Sequence, residues 1–443
     1  MKLSTTRVSL LGWLAVLAVV YGLVIYFVSF YRSDFAVFYA SLQFLLHGQD
    51  IYAPVPFNAF DQIQMQHTGR LTLHPNLNPP FFTLLLSPLG WLSYQAAFWI
   101  WSLMSLGFGA IGMTLLQRAG NKRDTDYLLV MLILLFAYFP TLTNILIGQT
   151  ALLIFMLVTG GWIAAQQGRE RLSGILLGLA FAIKLFLGLF LVYFLLQRRW
   201  RLTTWFLVAM AASGLLGLAT LGSDAYRHYL QALDSVTWQS SNWNASAYGF
   251  FSRIFGGSEN RPLFNAPVLG KALYYLLAAM LIAMLAWLLR RNQQIVPGVR
   301  DDLGFSFTLV AALLISPLGW MYYFPLLLLP FFVLFRLTHT YRLPWQFRFA
   351  LLLALLASSF SQLLTPAAEN SQTAFTLSAY YFYALLALGC LIIVANVILQ
   401  GKRAVETDTA EQERAQLLST FLILVLYYAV TGAIFAVSKI HAS

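Results

Sequence analysis

Along most of the chain apolar residues do not alternate with polar ones; they run in long blocks broken by short basic or Gly/Pro-containing segments. A membrane-crossing helix needs about 20 mostly apolar residues. Blocks near that length occupy residues 8–30, 95–116, 127–146, 151–165, 202–221, 269–289, 303–315, 321–335, 349–364, 379–399 and 416–437. Two more are ambiguous: residues 80–92 are short, and residues 172–196 could cross but carry Lys184 at their centre. The pattern predicts about 11–13 transmembrane helices. A membrane barrel would alternate apolar and polar positions, whereas 84–86, 128–136 and 326–329 are unbroken apolar runs.

Composition sharpens this picture. Sixty per cent of the 443 residues are hydrophobic and 10% are charged, against roughly 25% charged in soluble domains. Mean hydropathy is +0.73. Only lipid solvates so much apolar sequence, and in lipid the backbone must satisfy its own hydrogen bonds. The expected fold is therefore an all-α polytopic membrane protein, one transmembrane domain over residues 1–443. The net charge of +11 would suggest nucleic acid in a soluble protein. Here the basic residues cluster in short loops between apolar blocks, the pattern of the positive-inside rule, and no nucleic-acid partner is expected. Cys390 is the only cysteine, which excludes an intrachain disulfide and a Cys-rich metal site. The first block, after Lys2 and Arg7, is too long for a signal-peptide core and reads as a retained anchor.

The basic loops set the expected orientation. Lys2 and Arg7, the group Arg198, Arg199 and Arg201, the pair Arg290 and Arg291, the group Arg336, Arg342 and Arg348, and the pair Lys402 and Arg403 all mark the cytoplasmic side. The N-terminus is then cytoplasmic. Two long loops, residues 31–78 and 222–267, are left outside; both exceed what a hairpin needs and are where function should sit. Residues 401–414 carry both charge signs and read as a cytoplasmic linker. If the loops around Arg118 and Arg169 are both cytoplasmic, residues 172–196 form a re-entrant pair of half-helices with Lys184 at the tip; if both are outside, the segment crosses. Charge favours the first.

Chemistry concentrates at few positions. Asp34 lies just beyond the first block, and Phe35, Phe38, Tyr39, Leu42, Leu45 and Leu46 follow at helical spacing, predicting an amphipathic interfacial helix ended by Gly48. A carboxylate at that junction can be a base toward lipid-borne headgroups, or Ser33 or Asp34 can simply cap the helix. Lys184 is an intramembrane cation, which is costly and functional by default. It suits a lipid phosphate or a structural ion pair. A second interfacial helix is expected over residues 248–255, with Arg253 binding either phosphate or headgroups. Trp238, Trp243, Tyr248 and Phe251 fit a sugar face or an interface belt. His47, His67, His74 and His228, with Asp50 and Asp61, match no metal spacing. The segment from His74 to Pro80 should return the chain to the membrane as an extended stretch. No phosphate loop or dinucleotide fingerprint is present.

Taken in order, Asp34-Phe35 with Phe38-Tyr39-Ala40, Gly48 with Tyr52 and Pro54, Pro79-Pro80, Gly148-Gln149, Ala182-Ile183-Lys184, Asn244-x-Ser246 with Arg253, and Ser316-Pro317 with Trp320 resemble glycosyltransferase family 87 of the GT-C superfamily. The chain departs from the family pattern at Asn78, Ile147, Leu187 and residues 321–323, where an aromatic, an asparagine, a proline and a histidine are usual. The resemblance implies a GT-C-type bundle with two long outer loops. It implies a transferase moving a hexose, mannose by analogy, from a polyprenyl-phosphate sugar to a lipid or glycan acceptor on the outer face of the inner (plasma) membrane. Asp34 would be the general base of a single, inverting displacement. Lys184 and Arg253 would hold the donor phosphate. Tyr39, Tyr52, His74, Asn78, Gln149, Asn244, Ser246, Trp320 and Tyr322 would line the substrate cavity, with no metal and no cofactor required. The competing reading, a transporter or lipid flippase, calls for paired halves with broken helices at matching positions; the asymmetric outer loops do not supply them.

Overall fold

The computed structural model describes residues 5–29, 34–53, 75–120, 124–258, 261–290, 295–360 and 372–402, with Ser419 and Ile423 beyond them. The last apolar block and nearly all of the 401–414 linker lie outside the described residues. The described chain is helical throughout, in the order α1 (Thr5–Val28), α2 (Asp34–Leu46), α3 (Pro80–Leu86), α4 (Tyr94–Ala119), α5 (Thr125–Ala137), α6 (Phe139–Ile147), α7 (Ala151–Gln166), α8 (Glu170–Ile183), α9 (Leu189–Gln197), α10 (Trp200–Asp234), α11 (Ala247–Phe255), α12 (Pro267–Leu288), α13 (Pro297–Ile315), α14 (Leu328–Thr340), α15 (Trp345–Ser358), α16 (Gln372–Leu377) and α17 (Tyr380–Leu399).

Among the described residues six helical stretches are long and apolar enough to cross a membrane: Arg7–Val28, Tyr94–Ala119, Trp200–Asp234, Pro267–Leu288, Met321–Thr340 and Thr373–Leu399. A seventh exists if α5 and α6, bent by 60° at Tyr138, count as one span. The bend has a local cause, because Pro140 sits in the first turn of α6 and cannot continue the hydrogen-bond ladder of α5. Several blocks that read as spans in the sequence are therefore shorter or broken elements packed among the long ones.

Four of the basic segments, at Arg7, Arg118, Arg169–Arg199 and Arg336, share one face. Arg7 Nε meets Asp126 Oδ1 at 2.5 Å, which joins the start of α1 to the first turn of α5, beside the loop that precedes it. Next to that loop Gly120 abuts the Phe332 ring of α14, and Phe332 lies edge-on to Trp162 of α7. Buried Asp302 then accepts from Trp162 Nε1 (3.0 Å), Gln166 Nε2 (2.6 Å) and Arg336 Nη2 (2.6 Å). Arg199 bonds Glu170 Oε1 at 3.2 Å and the Ala165 carbonyl at 3.3 Å. Both middle loops, around Arg118 and Arg169, thus lie with the N-terminus.

This arrangement decides residues 172–196. Their two ends meet through Glu170 and Arg199 on the basic face, so the segment enters and returns. Gly174 abuts the Leu202 carbonyl and Gly178 the Phe206 carbonyl, so α8 runs parallel to α10. The absence of side chains at these two glycines lets the helices approach closely. The turn-around is Lys184, whose φ −143° and ψ 114° end α8, followed by a 3-10 turn, Leu185–Gly188. Neither proline nor glycine stands at position 184. Tertiary contacts hold the break: Leu187 is fully buried and Phe186 packs on Tyr323 at 5.1 Å.

The segments expected outside differ from expectation in one respect. Helix α2 ends as predicted, with Gly48 at φ +66° and the Gln49 amide donating to the Phe44 carbonyl at 2.8 Å. It is not a one-sided surface helix, however. Phe35, Ala36, Val37, Phe38, Ala40, Ser41 and Leu42 are all buried, and edge-on rings from Phe82 and Phe98 hold Phe38 and Phe35. With aromatic partners on several sides, its flanks are covered by protein. Gly222, at φ +77° and ψ 175°, breaks α10 where the second long polar segment begins.

Candidate functional site

A cavity of roughly 910 Å³ opens where α2, the α6–α7 turn, the α8–α9 tip and the segments around residues 75–78, 229–243 and 315–323 converge. Its polar wall includes Asp34, Asn78, Gln149, Lys184, Trp320, Tyr322 and Tyr323. Beside Lys184 the wall is apolar, with Leu185, Phe186, Leu189, Val192, Ile315 and Leu318.

Asp34 opens α2, where the free amides of a helix N-terminus favour a carboxylate. Gln149 Nε2 donates to Asp34 Oδ2 at 2.8 Å. A glycine makes that contact possible. Gly148 caps α6 in the left-handed region (φ +69°), and a Cβ there would come within 2.6 Å of Phe35 Cβ. The turn thus presses directly on the start of α2, and Trp101 Nε1 locks it by donating to the Gly148 carbonyl at 2.8 Å. Lys184 lines the same cavity within electrostatic reach of Asp34. Its ammonium lies 5.7 Å from the Tyr323 ring and makes no hydrogen bond or ion pair among the described residues. Among the described residues Lys184 therefore has no carboxylate as an ion-pair partner.

Asn78 reaches the cavity from the extended return segment. Buried Asn76 organises that segment by donating to Ser41 Oγ at 2.9 Å and accepting from the Asn78 amides at 3.0 and 2.9 Å. Pro75 and Leu77 also line the wall. His74 lies outside the described residues.

Five of the residues expected at the site stand one layer behind it. Tyr52 Oη donates to the Asn78 carbonyl at 2.6 Å, and Tyr39 Oη to the Leu92 carbonyl at 2.7 Å. Asn244 is fully buried, and its Nδ2 ties the Gln239 and Pro317 carbonyls together at 2.8 Å each. Ser246 caps α11, accepting from the Gly249 amide at 3.0 Å. Arg253 is fully buried and does not line the cavity. Its Nη1 donates to the Ser241 carbonyl at 2.7 Å, so its guanidinium clamps the loop that precedes α11 instead of lining the cavity where a donor phosphate was expected to meet it. The motifs Asn244-x-Ser246 and Ser316-Pro317 with Trp320 are one joint: the Ala245 amide meets the Gly319 carbonyl and the Met321 amide the Trp243 carbonyl, both at 2.9 Å. That joint carries Trp320 and Tyr322 into the cavity wall.

The family comparison follows the same residues. The pattern of glycosyltransferase family 87 matches residues 76–317, more than half of the chain. The chain belongs to glycosyltransferase family 87. It is a multi-pass membrane glycosyltransferase. Two curated relatives are a polyprenol-phosphate-mannose-dependent alpha-(1-2)-phosphatidylinositol mannoside mannosyltransferase of Mycobacterium tuberculosis, 24% identical over 66% of this chain and 67% of that protein, and the corresponding pentamannoside mannosyltransferase of Mycolicibacterium smegmatis, 25% identical over 60% of this chain and 62% of that protein. Among solved structures, ArnT from Cupriavidus metallidurans bound to undecaprenyl phosphate superposes with a TM-score of 0.40 at 16% identity, over 86% of this chain and 78% of that chain. Of the positions where this chain departs from the family pattern, Asn78, Ile147, Tyr322 and Tyr323 line the cavity. Sequence reasoning missed Tyr229, Asp234, Gln239, Tyr274 and the apolar arm beside Lys184, whose contributors are far apart in the chain and carry no motif.

Proposed function

We propose that this family 87 enzyme transfers mannose from a polyprenyl-phosphate sugar to a lipid or glycan acceptor, on the non-cytoplasmic face of the plasma membrane and with inversion. The observation that carries the reading is the shared cavity: a carboxylate, Asp34, and an unpaired ammonium, Lys184, meet beside an apolar wall. Asp34 takes the proton from an acceptor hydroxyl as that oxygen attacks the anomeric carbon. The bond from the anomeric carbon to the phosphate oxygen breaks, and the polyprenyl phosphate leaves as an anion that needs no proton. Lys184 offsets the phosphate charge, and the apolar wall receives the first isoprene units. Gln149 fixes the direction of the carboxylate through Oδ2. A single displacement inverts the anomeric centre. The mannose donor draws its support from the relatives' names, and the outer location from the cavity lying away from the basic face.

The test is incubation of the purified chain with a panel of polyprenyl-phosphate sugars, with products read by mass spectrometry and their anomeric configuration by NMR. An inverted mannosyl product formed by the wild type, and lost in Asp34→Asn with donor binding kept, is the expected result. A retained configuration, or turnover by Asp34→Asn near the wild-type rate, refutes the mechanism.

A further inference from the structure

Beside its two charges the cavity carries a pair of uncharged hydrogen-bond donors, Tyr322 and Tyr323. Both rings are almost wholly buried, and both lie within electrostatic reach of Asp34. The Tyr323 ring is also the one that stands 5.7 Å from the Lys184 ammonium. The pair therefore neighbours both the base and the cation. Its position is fixed from several sides. The Tyr322 ring stacks on Trp320 at 6.2 Å and meets the Tyr323 ring edge-on at 4.8 Å, while Phe186 packs on Tyr323 at 5.1 Å. The backbone of the turn is tied by the Met321 amide to the Trp243 carbonyl at 2.9 Å and by the Tyr323 amide to the Trp320 carbonyl at 3.0 Å. The two hydroxyls hydrogen-bond each other. Each has one proton to give, so the pair spends one on itself and keeps one. Among the described residues nothing accepts the proton that remains.

A buried hydroxyl proton on a cavity wall calls for an acceptor, and an anion makes the strongest one. A phosphate offers more than one free oxygen, so one oxygen can take the Lys184 ammonium and another the hydroxyl. We infer that the Tyr323 hydroxyl, held by Tyr322, donates a hydrogen bond to the leaving phosphate beside Lys184. When the bond from the anomeric carbon to the phosphate oxygen breaks, its electron pair stays on that oxygen. The phosphodiester monoanion becomes a monoester dianion, and the tyrosine keeps its proton. A fixed donor aimed at charge that develops during the reaction gains strength in the transition state. Lys184 attracts the phosphate before and after the bond breaks, whereas Tyr323 acts mainly as the charge grows. The inference rests on the transferase reading and adds a second residue for the leaving group. It also gives the departure at residues 321–323 a chemical sense, because a tyrosine stays neutral over a pH range in which the usual histidine changes charge.

The test compares the wild type, Tyr323→Phe and Tyr322→Phe as full chains in lipid nanodiscs. Phenylalanine keeps each ring in its packing and removes only the hydroxyl, so melting temperatures should match the wild type. Two ligands are titrated at about pH 8, above the second phosphate pKa. Polyprenyl phosphate is a dianion there and stands in for the leaving group. Polyprenyl-phosphate mannose is a monoanion, titrated in an Asp34→Asn background so that it is not consumed. Tyr323→Phe should raise the Kd of polyprenyl phosphate about 10- to 150-fold and change the Kd of the mannose donor far less. The single-turnover rate should fall by a similar factor, and Tyr322→Phe should show a smaller loss of the same kind. A raised Kd for the mannose donor alone means that the hydroxyl meets the sugar, and it overturns the inference. An equal rise for both ligands with a lowered melting temperature marks a structural role and overturns it as well, as does a larger loss in Tyr322→Phe. Binding of polyprenyl phosphate needs no turnover, so these outcomes stand apart from the transferase reading. That reading fails instead if the wild type binds both ligands and forms no product on any acceptor.

Discussion

Lys184→Met removes one ammonium and keeps a flexible apolar stem of similar length. In the structure that ammonium makes no hydrogen bond or ion pair among the described residues, and the Tyr323 ring lies 5.7 Å away. A cation at membrane depth costs about 2.5–3.5 kcal/mol, and a contact to an aromatic face returns about 0.5–2 kcal/mol. Without donor, the variant should therefore be as stable as the wild type or more stable by about 1 kcal/mol. With donor, it loses a charge-assisted hydrogen bond to phosphate of about 1.5–3 kcal/mol. The donor Kd should rise about 10- to 150-fold. Lys184→Arg keeps the charge and should lose less. Thermal unfolding with and without polyprenyl phosphate, together with a binding titration, measures both quantities. An unchanged Kd accompanied by a melting temperature lowered by several degrees refutes the phosphate role. It would mean that Lys184 neutralises a buried carboxylate, whose stranding costs about 3–5 kcal/mol.

Gly148→Ala should cripple turnover, because the left-handed turn costs an L-residue about 1–2 kcal/mol and the new Cβ collides with Phe35; kcat with saturating donor reads the displaced Gln149 and Asp34, and an unchanged kcat shows that their contact does not matter. Arg336→Met leaves Asp302 buried with its amide and indole donors but no cation, so donor-free stability should fall by about 3–5 kcal/mol with donor affinity unchanged; a melting curve matching the wild type refutes this. In a Cys390→Ser background, single cysteines at exposed Gln49 and Ser235 should react with a membrane-impermeant thiol reagent on whole cells, whereas labelling only after lysis inverts the proposed orientation.

The sequence by itself determined the class of solvent and some element ends, and it grouped the basic loops while leaving those around Arg118 and Arg169 open. Those properties are sums over local residues: apolar blocks require lipid, arginines between blocks mark one face, Gly48 ends α2 and Gly222 opens the segment after the 202–221 block; the hydropathy pattern reads residues 127–146 as one span, which the structure bends at Pro140. The ordered motifs also placed Asp34, Gln149 and Lys184 among the functional candidates before any contact between them was known. Only the tertiary structure decided which motif residues line the cavity. Asn78 and Arg253 are equally polar in the sequence, yet one lines the cavity and the other clamps backbone carbonyls behind it. The re-entrant turn at Lys184 belongs to the tertiary structure as well, because no proline or glycine at that position interrupts the helix. The break depends on Phe186 against Tyr323 and on Glu170 meeting Arg199, contacts between segments that only folding brings together. Hydropathy records how apolar a segment is. It carries no information about whether a helix crosses or turns back, because that depends on the partners that satisfy its broken backbone.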